Sequence, residues 1–169
     1  MNQETVALLV LEVMEGSDHA FSKLYRELHP AMRRFVIRRT GNTMVAEDLV
    51  QNVWVKVTKR IHKLEDVSLF RSWLYRALRW ELLDWQRAQT KLEYRDAEDA
   101  AYVFQVEMID IPKVLCQLEE KERTVVELYY LCDLSVHETA LTLAVPEGTV
   151  KSRLSKARKV LANLFELPE

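Results

Sequence analysis

The stretch from Val145 to Leu161 reads VPEGTVKSRLSKARKVL, and it concentrates positive charge in a chain that is otherwise slightly acidic. Its basic residues are Lys151, Arg153, Lys156, Arg158 and Lys159, whereas its one acidic residue is Glu147. The whole chain of 169 residues has 24 Lys and Arg against 26 Asp and Glu. A local excess of positive charge of this kind is typical of a surface that contacts nucleic acid, but by itself it fits a solvated, charged helix end equally well.

The apolar residues of this stretch and of the residues after it recur at helical spacing. At about 100° per residue they form one stripe, which consists of Val150, Leu154, Ala157, Leu161, Leu164 and Phe165. The opposite face carries Ser152, Ser155, Lys156 and Lys159, flanked by Lys151, Arg153 and Arg158. The stretch is therefore predicted to be an amphipathic helix with a basic outer face.

A shorter helix is predicted just before it. The sequence SVHE forms a capping box, in which the Ser135 hydroxyl accepts from the Glu138 amide while the Glu138 carboxylate reaches back. This helix stops near Val145 and Pro146, and Ala140 is small enough for a close helix–helix approach. Two short helices with a tight turn, the second one basic, predict a helix-turn-helix, whose second helix enters the major groove of DNA.

Composition indicates an all-α protein. Only 3 Gly and 4 Pro occur, and helix-favouring residues are abundant. No apolar run is long enough for a membrane span and no signal peptide is recognisable, so we expect a cytoplasmic protein without membrane insertion. Cys116, Cys132 and the four histidines lack metal-ligand spacing, and no glycine-rich phosphate loop occurs. No metal or cofactor is expected.

Charge divides the chain into three parts. Residues 1–87 have a net charge of +3, residues 88–112 of −4 and residues 113–169 of −1. The middle part has no clear helical stripe and ends at Pro112, so it is predicted to be an acidic linker between two small helical domains. Its apolar residues between Tyr102 and Ile109 are candidates for docking on a partner.

The N-terminal part is predicted to be helical throughout. Ser17 or Asp18 begins a helix that Pro30 interrupts and that continues to Gly41. The next helix has an apolar stripe that consists of Ala46, Leu49, Val50, Val53, Val57 and Ile61. The loop HKLEDVS follows. The helix after this loop has a second apolar stripe, which consists of Phe70, Leu74, Ala77, Leu78 and Leu82. In the C-terminal part, a helix is predicted from about Pro112 to Leu131.

Basic and aromatic residues alternate between Lys59 and Arg79. A basic groove with aromatic platforms is what single-stranded nucleic acid requires. The candidates are Lys59, Arg60, His62, Lys63, Arg71, Trp73, Arg76 and Arg79. Phe70 and Trp73 are also consistent with core positions, and Trp80 and Trp85 with half-buried packing.

Two separate motifs resemble one family. The sequence LEEKERTVVELYYLCDLSVHETALTLAVPEGTVKSRLSKARKVL resembles region 4 of bacterial sigma factors, and AEDLVQNVWVKV with FRSWLYRALRWELLDWQR resembles region 2. Their order and the missing region 3 resemble the extracytoplasmic-function group, over about residues 17–87 and 113–163. Departures from the usual pattern are Trp80 in place of Asn, Glu119 in place of Leu-Pro, Thr139 in place of Ile and Pro146 in place of Ser.

The resemblance implies a transcription initiation factor and not an enzyme. Region 2 would bind the β′ clamp helices of core RNA polymerase through Glu47, Asp48 and Gln51, and would capture a flipped base of the −10 element in the loop HKLEDVS. Region 4 would bind the β flap and read the −35 element with Lys151, Ser152, Ser155 and Lys156, while Arg153, Arg158 and Lys159 hold phosphates. An anti-sigma factor is a further implied partner.

Three other classes of protein are alternatives. A plain two-domain DNA-binding regulator requires the C-terminal helices alone, and the N-terminal motifs argue against it. A serine recombinase needs a domain with strands, and an anti-sigma factor or adaptor would lack the basic helix. Independently of the resemblance, Glu47 and Asp48 also fit the role of acids that stabilise the beginning of an exposed helix.

Overall fold

The structure is a computed structural model, and it describes residues 2–93 and 114–165. The chain divides into two compact units, residues 1–104 and 105–169. In the described residues every regular element is helical and none is a strand, which confirms the predicted all-α fold class. The division falls inside the predicted linker, but the first unit's last helix runs to Glu93 and so passes the boundary predicted at residue 87. Residues 94–113, which include the apolar residues predicted to dock, lie outside the described residues.

The described part of the first unit, residues 2–93, contains four α-helices. They are α1 (Gln3–Met14), α2 (Asp18–Thr40), α3 (Thr43–Arg60) and α4 (Phe70–Glu93), with two short 3₁₀ turns, Ile61–Lys63 and Val67–Leu69, between α3 and α4. The Ser17 hydroxyl caps α2 by accepting from the Ala20 amide at 3.2 Å. Gly41 ends α2 in the left-handed conformation, with a φ of 66°, as the sequence predicted.

Pro30 does not interrupt α2, so that expectation was wrong. The helix is continuous from Asp18 to Thr40, and Pro30 lies exposed on its outer side. Proline costs about 3 kcal/mol inside a helix because it removes one backbone donor. Buried apolar side chains on both sides of the proline, Leu24 and Leu28 before it and Met32 and Phe35 after it, pack in the same core. Their packing outweighs the local penalty.

The core of the first unit follows the predicted stripes closely. All six stripe residues of α3 and its following turn are buried, from Ala46 to Ile61, and four of the five in α4 are buried, with Ala77 half-buried. Trp54 and Tyr75 are buried as well, although periodicity alone did not single them out. The Trp54 ring meets the ring of Phe21 edge-on, with 5.7 Å between centroids.

The second unit contains α5 (Glu120–Val126), which continues as a π-helical turn (Glu127–Leu131), and then α6 (Val136–Leu143) and α7 (Glu147–Phe165). The helix predicted from about Pro112 to Leu131 is not continuous, because residues 116–119 form a turn before α5. The Arg123 guanidinium donates to the carbonyls of Leu115 at 3.0 Å and Leu118 at 3.3 Å. The Leu115 carbonyl also accepts from the Leu118 amide at 3.1 Å, so Arg123 adds a second donor there and supplies a donor to the Leu118 carbonyl. A side chain from α5 therefore stabilises the turn.

The turn between α6 and α7 positions the basic helix. The capping box is confirmed: the Glu138 amide donates to the Ser135 hydroxyl at 3.1 Å, and the Ser135 amide donates to the Glu138 carboxylate at 2.7 Å. Pro146 precedes α7, and its carbonyl accepts from the Thr149 amide at 3.0 Å. Predicted stripe residues Val150, Leu154 and Ala157 are buried in one cluster with Leu115, Leu118, Val125, Val126 and Ala140. The opposite face of α7 therefore points to solvent.

Candidate nucleic-acid interface

A pocket lies between α3 and α4 in the first unit. Its volume is about 370 Å³, and its lining residues are Arg60, Ile61, Lys63, Leu64, Glu65, Asp66, Leu69 and Trp73. The two 3₁₀ turns and the residues between them form most of the lining. This segment includes the loop HKLEDVS, to which the resemblance to region 2 assigns a captured base. The volume falls in the range of small-ligand sites. A flat aromatic ring with nearby cations suits an unstacked nucleotide base.

Hydrogen bonds fix the loop that forms the pocket. The Asp66 carboxylate accepts from the Ser68 hydroxyl at 2.6 Å and from the Ser68 amide at 2.9 Å. These two bonds hold the pKa of Asp66 below its ordinary value. The Gln3 side chain donates to the Ser68 carbonyl at 3.1 Å, which ties α1 to the same turn. The loop is thus braced from within and from the first helix.

Apart from Arg71, the residues predicted to contact the single strand separate into three groups. Arg60, Lys63 and Trp73 line the pocket, whereas Lys59 and His62 are exposed beside it without lining it. On α4, Arg76 is exposed and Arg79 is half-buried, and neither lines the pocket.

Arg71 contradicts the prediction, since it is only 5% exposed. Helical spacing places it one turn before Leu74 and Tyr75, on the core side of α4, so it cannot form part of a strand-binding surface.

The outer face of α7 carries most of the predicted upstream contacts. Lys151, Ser152, Ser155 and Lys159 are exposed, and Arg153 is half-buried. Lys151 and Ser155 have no hydrogen bond or ion pair with any described residue. The Ser152 hydroxyl donates to the Thr149 carbonyl at 3.0 Å, which leaves its oxygen able to accept. This face is available to a ligand near the beginning of α7.

Lys156 already has partners inside the second unit. Its ammonium donates to Glu122 at 3.1 Å and to Glu119 at 3.2 Å. These hydrogen bonds, the one with Glu122 first, raise the pKa of Lys156. Burial is the largest single effect on the pKa of Glu122, and it acts to raise that pKa. The hydrogen bond from Lys156 and several smaller interactions together outweigh burial, so the pKa of Glu122 is lowered. A base contact by Lys156, as the sequence predicted, would have to compete with both carboxylates.

Arg158 is also engaged within the unit. It donates to the Tyr130 hydroxyl at 2.8 Å, and its guanidinium lies 5.9 Å from the centroid of that ring. Both residues are exposed. Sequence reasoning did not identify Tyr130, because its partner lies 28 residues away in the chain.

The predicted polymerase-binding residues lie on the outer side of α3. Asp48 and Gln51 are exposed and form no hydrogen bond or ion pair with any described residue, while Leu49, Val50 and Val53 point into the core as predicted.

Glu47 differs from its two neighbours. It accepts from Arg33 at 3.1 Å and pairs with His29 at 3.4 Å. Asp48 and Gln51 are therefore the two of the three that remain open to a partner.

A metal-binding cluster and a membrane-spanning helix are both absent from the described part of the chain. Residues 2–93 and 114–165 contain no group of His, Cys, Asp and Glu side chains arranged to hold a metal ion. In the same ranges, no helix combines the length and hydropathy that crossing a membrane requires. Cys116, which is exposed, and Cys132, which is buried, form no disulfide within these ranges.

Comparison with known families identifies the family to which the chain belongs. Residues 24–92 match the family described as Sigma-70 region 2, and residues 109–161 match Sigma-70, region 4, so the two matches cover most of the chain. The chain belongs to the sigma-70 family. The first match lies in the unit with the pocket and the second in the unit with the basic helix, as the motifs predicted.

Relatives place this sigma factor in the extracytoplasmic-function group. It is 27% identical over 172 residues to the ECF RNA polymerase sigma factor SigW of Bacillus subtilis, covering 90% of this chain and 92% of that protein. The solved structure of RpoE from Bartonella quintana in complex with the anti-sigma factor NepR is 26% identical, with a TM-score of 0.70, covering 88% of this chain and 98% of RpoE. The structure of CnrH in complex with the cytosolic domain of CnrY shares the fold, at 21% identity and a TM-score of 0.72, covering 98% and 99% of the two chains. The chain is therefore a promoter-directing transcription initiation factor.

Proposed function

We propose that this sigma factor binds core RNA polymerase and directs it to promoters by recognising a downstream (−10) and an upstream (−35) element, and that it assists melting. Catalysis would belong to the polymerase. The observation that carries the proposal is that each matched region exposes cationic side chains where DNA could bind. In region 2 these are Arg60 and Lys63, at a pocket that Trp73, Glu65 and Asp66 also line, and in region 4 they lie on the outer face of α7.

For the upstream element, Lys151, Ser152 and Ser155 are the proposed base-reading residues. They lie near the beginning of α7, where a recognition helix presents its side chains to the major groove. Lysine reads guanine well, and serine bonds several bases. Arg153 and Lys159 are proposed to hold phosphates. Lys156 and Arg158, which have partners within the unit, contribute to DNA binding only to the extent that phosphates displace those partners.

For the downstream element, the proposed ligand of the pocket is one base turned out of the stack. Extruding a base costs a few kcal/mol, which a pocket must return through stacking and hydrogen bonds. Trp73 offers a ring for stacking, and Arg60 and Lys63 offer charge to the phosphates on either side. The exposed neighbours Lys59 and His62 extend the positive surface beyond the rim.

For polymerase binding, Asp48 and Gln51 are the proposed contacts on region 2. They stand three residues apart on one exposed side of α3, and nothing in the described chain occupies them. The partner surface is proposed to be the β′ clamp helices, with the β flap as the partner of region 4.

An anti-sigma factor is a further proposed partner. The related RpoE was solved with the anti-sigma factor NepR, at 26% identity to this chain. If such a partner covered the polymerase-binding side chains of α3, it would keep the sigma factor from core polymerase until it was released.

The decisive experiment is in vitro transcription by core polymerase with and without this protein, followed by sequencing of the transcripts. We expect a small set of start sites that depend on the protein and share two sequence elements. The matched control is the double variant Asp48→Ala, Gln51→Ala, which should lose those transcripts while remaining folded. Protein-dependent transcripts that share no upstream or downstream element, or tight specific binding of promoter duplex by the free protein, would contradict the proposal.

A further inference from the structure

Two carboxylates of very different exposure hold one ammonium on the outer face of α7. The Lys156 side chain is 55% exposed, and it donates to Glu122 at 3.1 Å and to Glu119 at 3.2 Å. The side chain of Glu122 is only 8% exposed, whereas that of Glu119 is 71% exposed. Because the burial of the two carboxylates differs so much, the two contacts differ in what it costs to break them.

The contact with Glu122 is the stronger of the two. A carboxylate that is mostly buried loses far more than an exposed one when its cation leaves, since water cannot take the place of the cation. The contact with Glu119 is a surface ion pair, which contributes little because both groups are well hydrated when they are apart. A competing anion can therefore replace Glu119 on Lys156 but not Glu122.

Glu119 brings a negative charge to the surface that is proposed to bind DNA. By helical spacing, Lys156 lies on the same side of α7 as Ser152, Ser155 and Lys159, which are all exposed. Glu119 directly precedes α5, and its carboxylate meets this side of α7 although 37 positions separate it from Lys156 in the chain. Glu119 is also one of the departures from the usual region 4 pattern, so the contact belongs to this chain's own sequence and not to that pattern.

We propose that Glu119 is an internal competitor of DNA phosphate: when region 4 binds the upstream element, a backbone phosphate replaces Glu119 on Lys156 while Glu122 keeps its hydrogen bond. The inference rests on the proposed function, because it assumes that this face of α7 binds DNA. A backbone phosphate carries one negative charge and accepts charge-assisted hydrogen bonds, as the carboxylate does, so it can take the same place. Glu119 thus lowers the affinity of region 4 for DNA, and removing its charge should raise that affinity.

The test measures binding of the holoenzyme, formed from core polymerase and the full chain, to a duplex promoter identified by the transcription experiment. Glu119→Gln keeps the size of the side chain and removes its charge. It should tighten binding by about 1.4- to 5-fold, the fold-change that corresponds to one surface ion pair. The matched control is Glu120→Gln, which removes the same charge at the next position, where the carboxylate accepts from the Thr124 hydroxyl at 3.2 Å. The control should tighten binding less than Glu119→Gln does.

A second background shows whether the effect acts through Lys156. Glu122→Gln combined with Lys156→Met neutralises the buried pair as a unit, so that no buried carboxylate is left without its cation. In this background Glu119→Gln should tighten binding no more than Glu120→Gln does, because the ammonium for which carboxylate and phosphate compete is gone.

The proposal is overturned if Glu119→Gln gives no gain in affinity, or if Glu120→Gln gives an equal gain, which would mark a general effect of charge. These two comparisons decide the question even if the neutralised background does not fold. A gain from Glu119→Gln that persists in that background would also overturn it. Failure of wild-type holoenzyme to prefer templates that contain the upstream element would instead overturn the proposed function itself, and this inference with it.

Discussion

The capping box at the beginning of α6 gives a prediction whose size follows from its geometry. In Ser135→Ala, the Glu138 amide loses its side-chain acceptor, while the bond from the residue 135 amide to the Glu138 carboxylate can persist. The Ser135 side chain is exposed, so truncating it creates no cavity. The change therefore removes one capping hydrogen bond and little else.

Losing a serine cap costs about 1 kcal/mol, within a range of roughly 0.5–2. For a domain of roughly 60–100 residues, about 1 kcal/mol corresponds to a fall of about 4–8 °C in Tm. We expect a fall of this size for the second unit alone. Asp is as good a cap as Ser, so Ser135→Asp should restore most of the stability. Ser155→Ala, which removes an exposed serine of the same unit with no hydrogen bond to any described residue, should leave Tm unchanged.

The distribution of tryptophan makes the assay specific for each unit. All 4 Trp residues lie in the first unit, so tryptophan fluorescence reports its unfolding alone, whereas far-UV circular dichroism reports both units. In Ser135→Ala, the tryptophan transition should stay in place while the remaining dichroism transition moves to lower temperature. A shift of the tryptophan transition by the same amount, or no shift in either signal, would refute this reasoning.

Three further predictions follow from the surfaces and the ion pair. Lys151→Ala and Ser155→Ala should each weaken recognition of the upstream element by about 1–3 kcal/mol of binding free energy. The measurement is transcription from templates with and without that element. Unchanged promoter selection would mean that the reading face is misplaced. Asp48→Ala and Gln51→Ala should weaken binding to core RNA polymerase in a pull-down titration without changing Tm. If the double variant binds core polymerase with wild-type affinity, these residues are solvated surface and not polymerase contacts. The pKa of Glu122 is lowered from an ordinary value of 4.5, so its contribution to stability is present above that pH and lost as the pH falls through the lower folded-state pKa. Glu122→Gln should therefore be less stable than wild type at neutral pH, with a difference that shrinks in acid; a constant difference across pH-dependent unfolding curves would argue against the ion pair.

Much of the site was predictable because it depends on local periodicity. The stripe that begins at Val150 determines which face of α7 is buried, and so which face exposes Lys151 and Ser155. The same reasoning placed Asp48 and Gln51 outward on α3. It failed for Arg71, because residue type was given more weight than position: the spacing from Leu74 already assigned Arg71 to the core side.

The sequence by itself determined the all-α class, the two helical units, the capping box and the buried stripes, since each of these depends on residues within a few positions of one another. Only the tertiary structure decided which charges remain open to a partner. Lys156 meets carboxylates that lie 34 and 37 residues away in the chain, and no local pattern encodes such a meeting. Pro30 stays within α2 for the same reason, because the packing that compensates for it comes from other helices. The pocket, too, exists only where two turns close against α4.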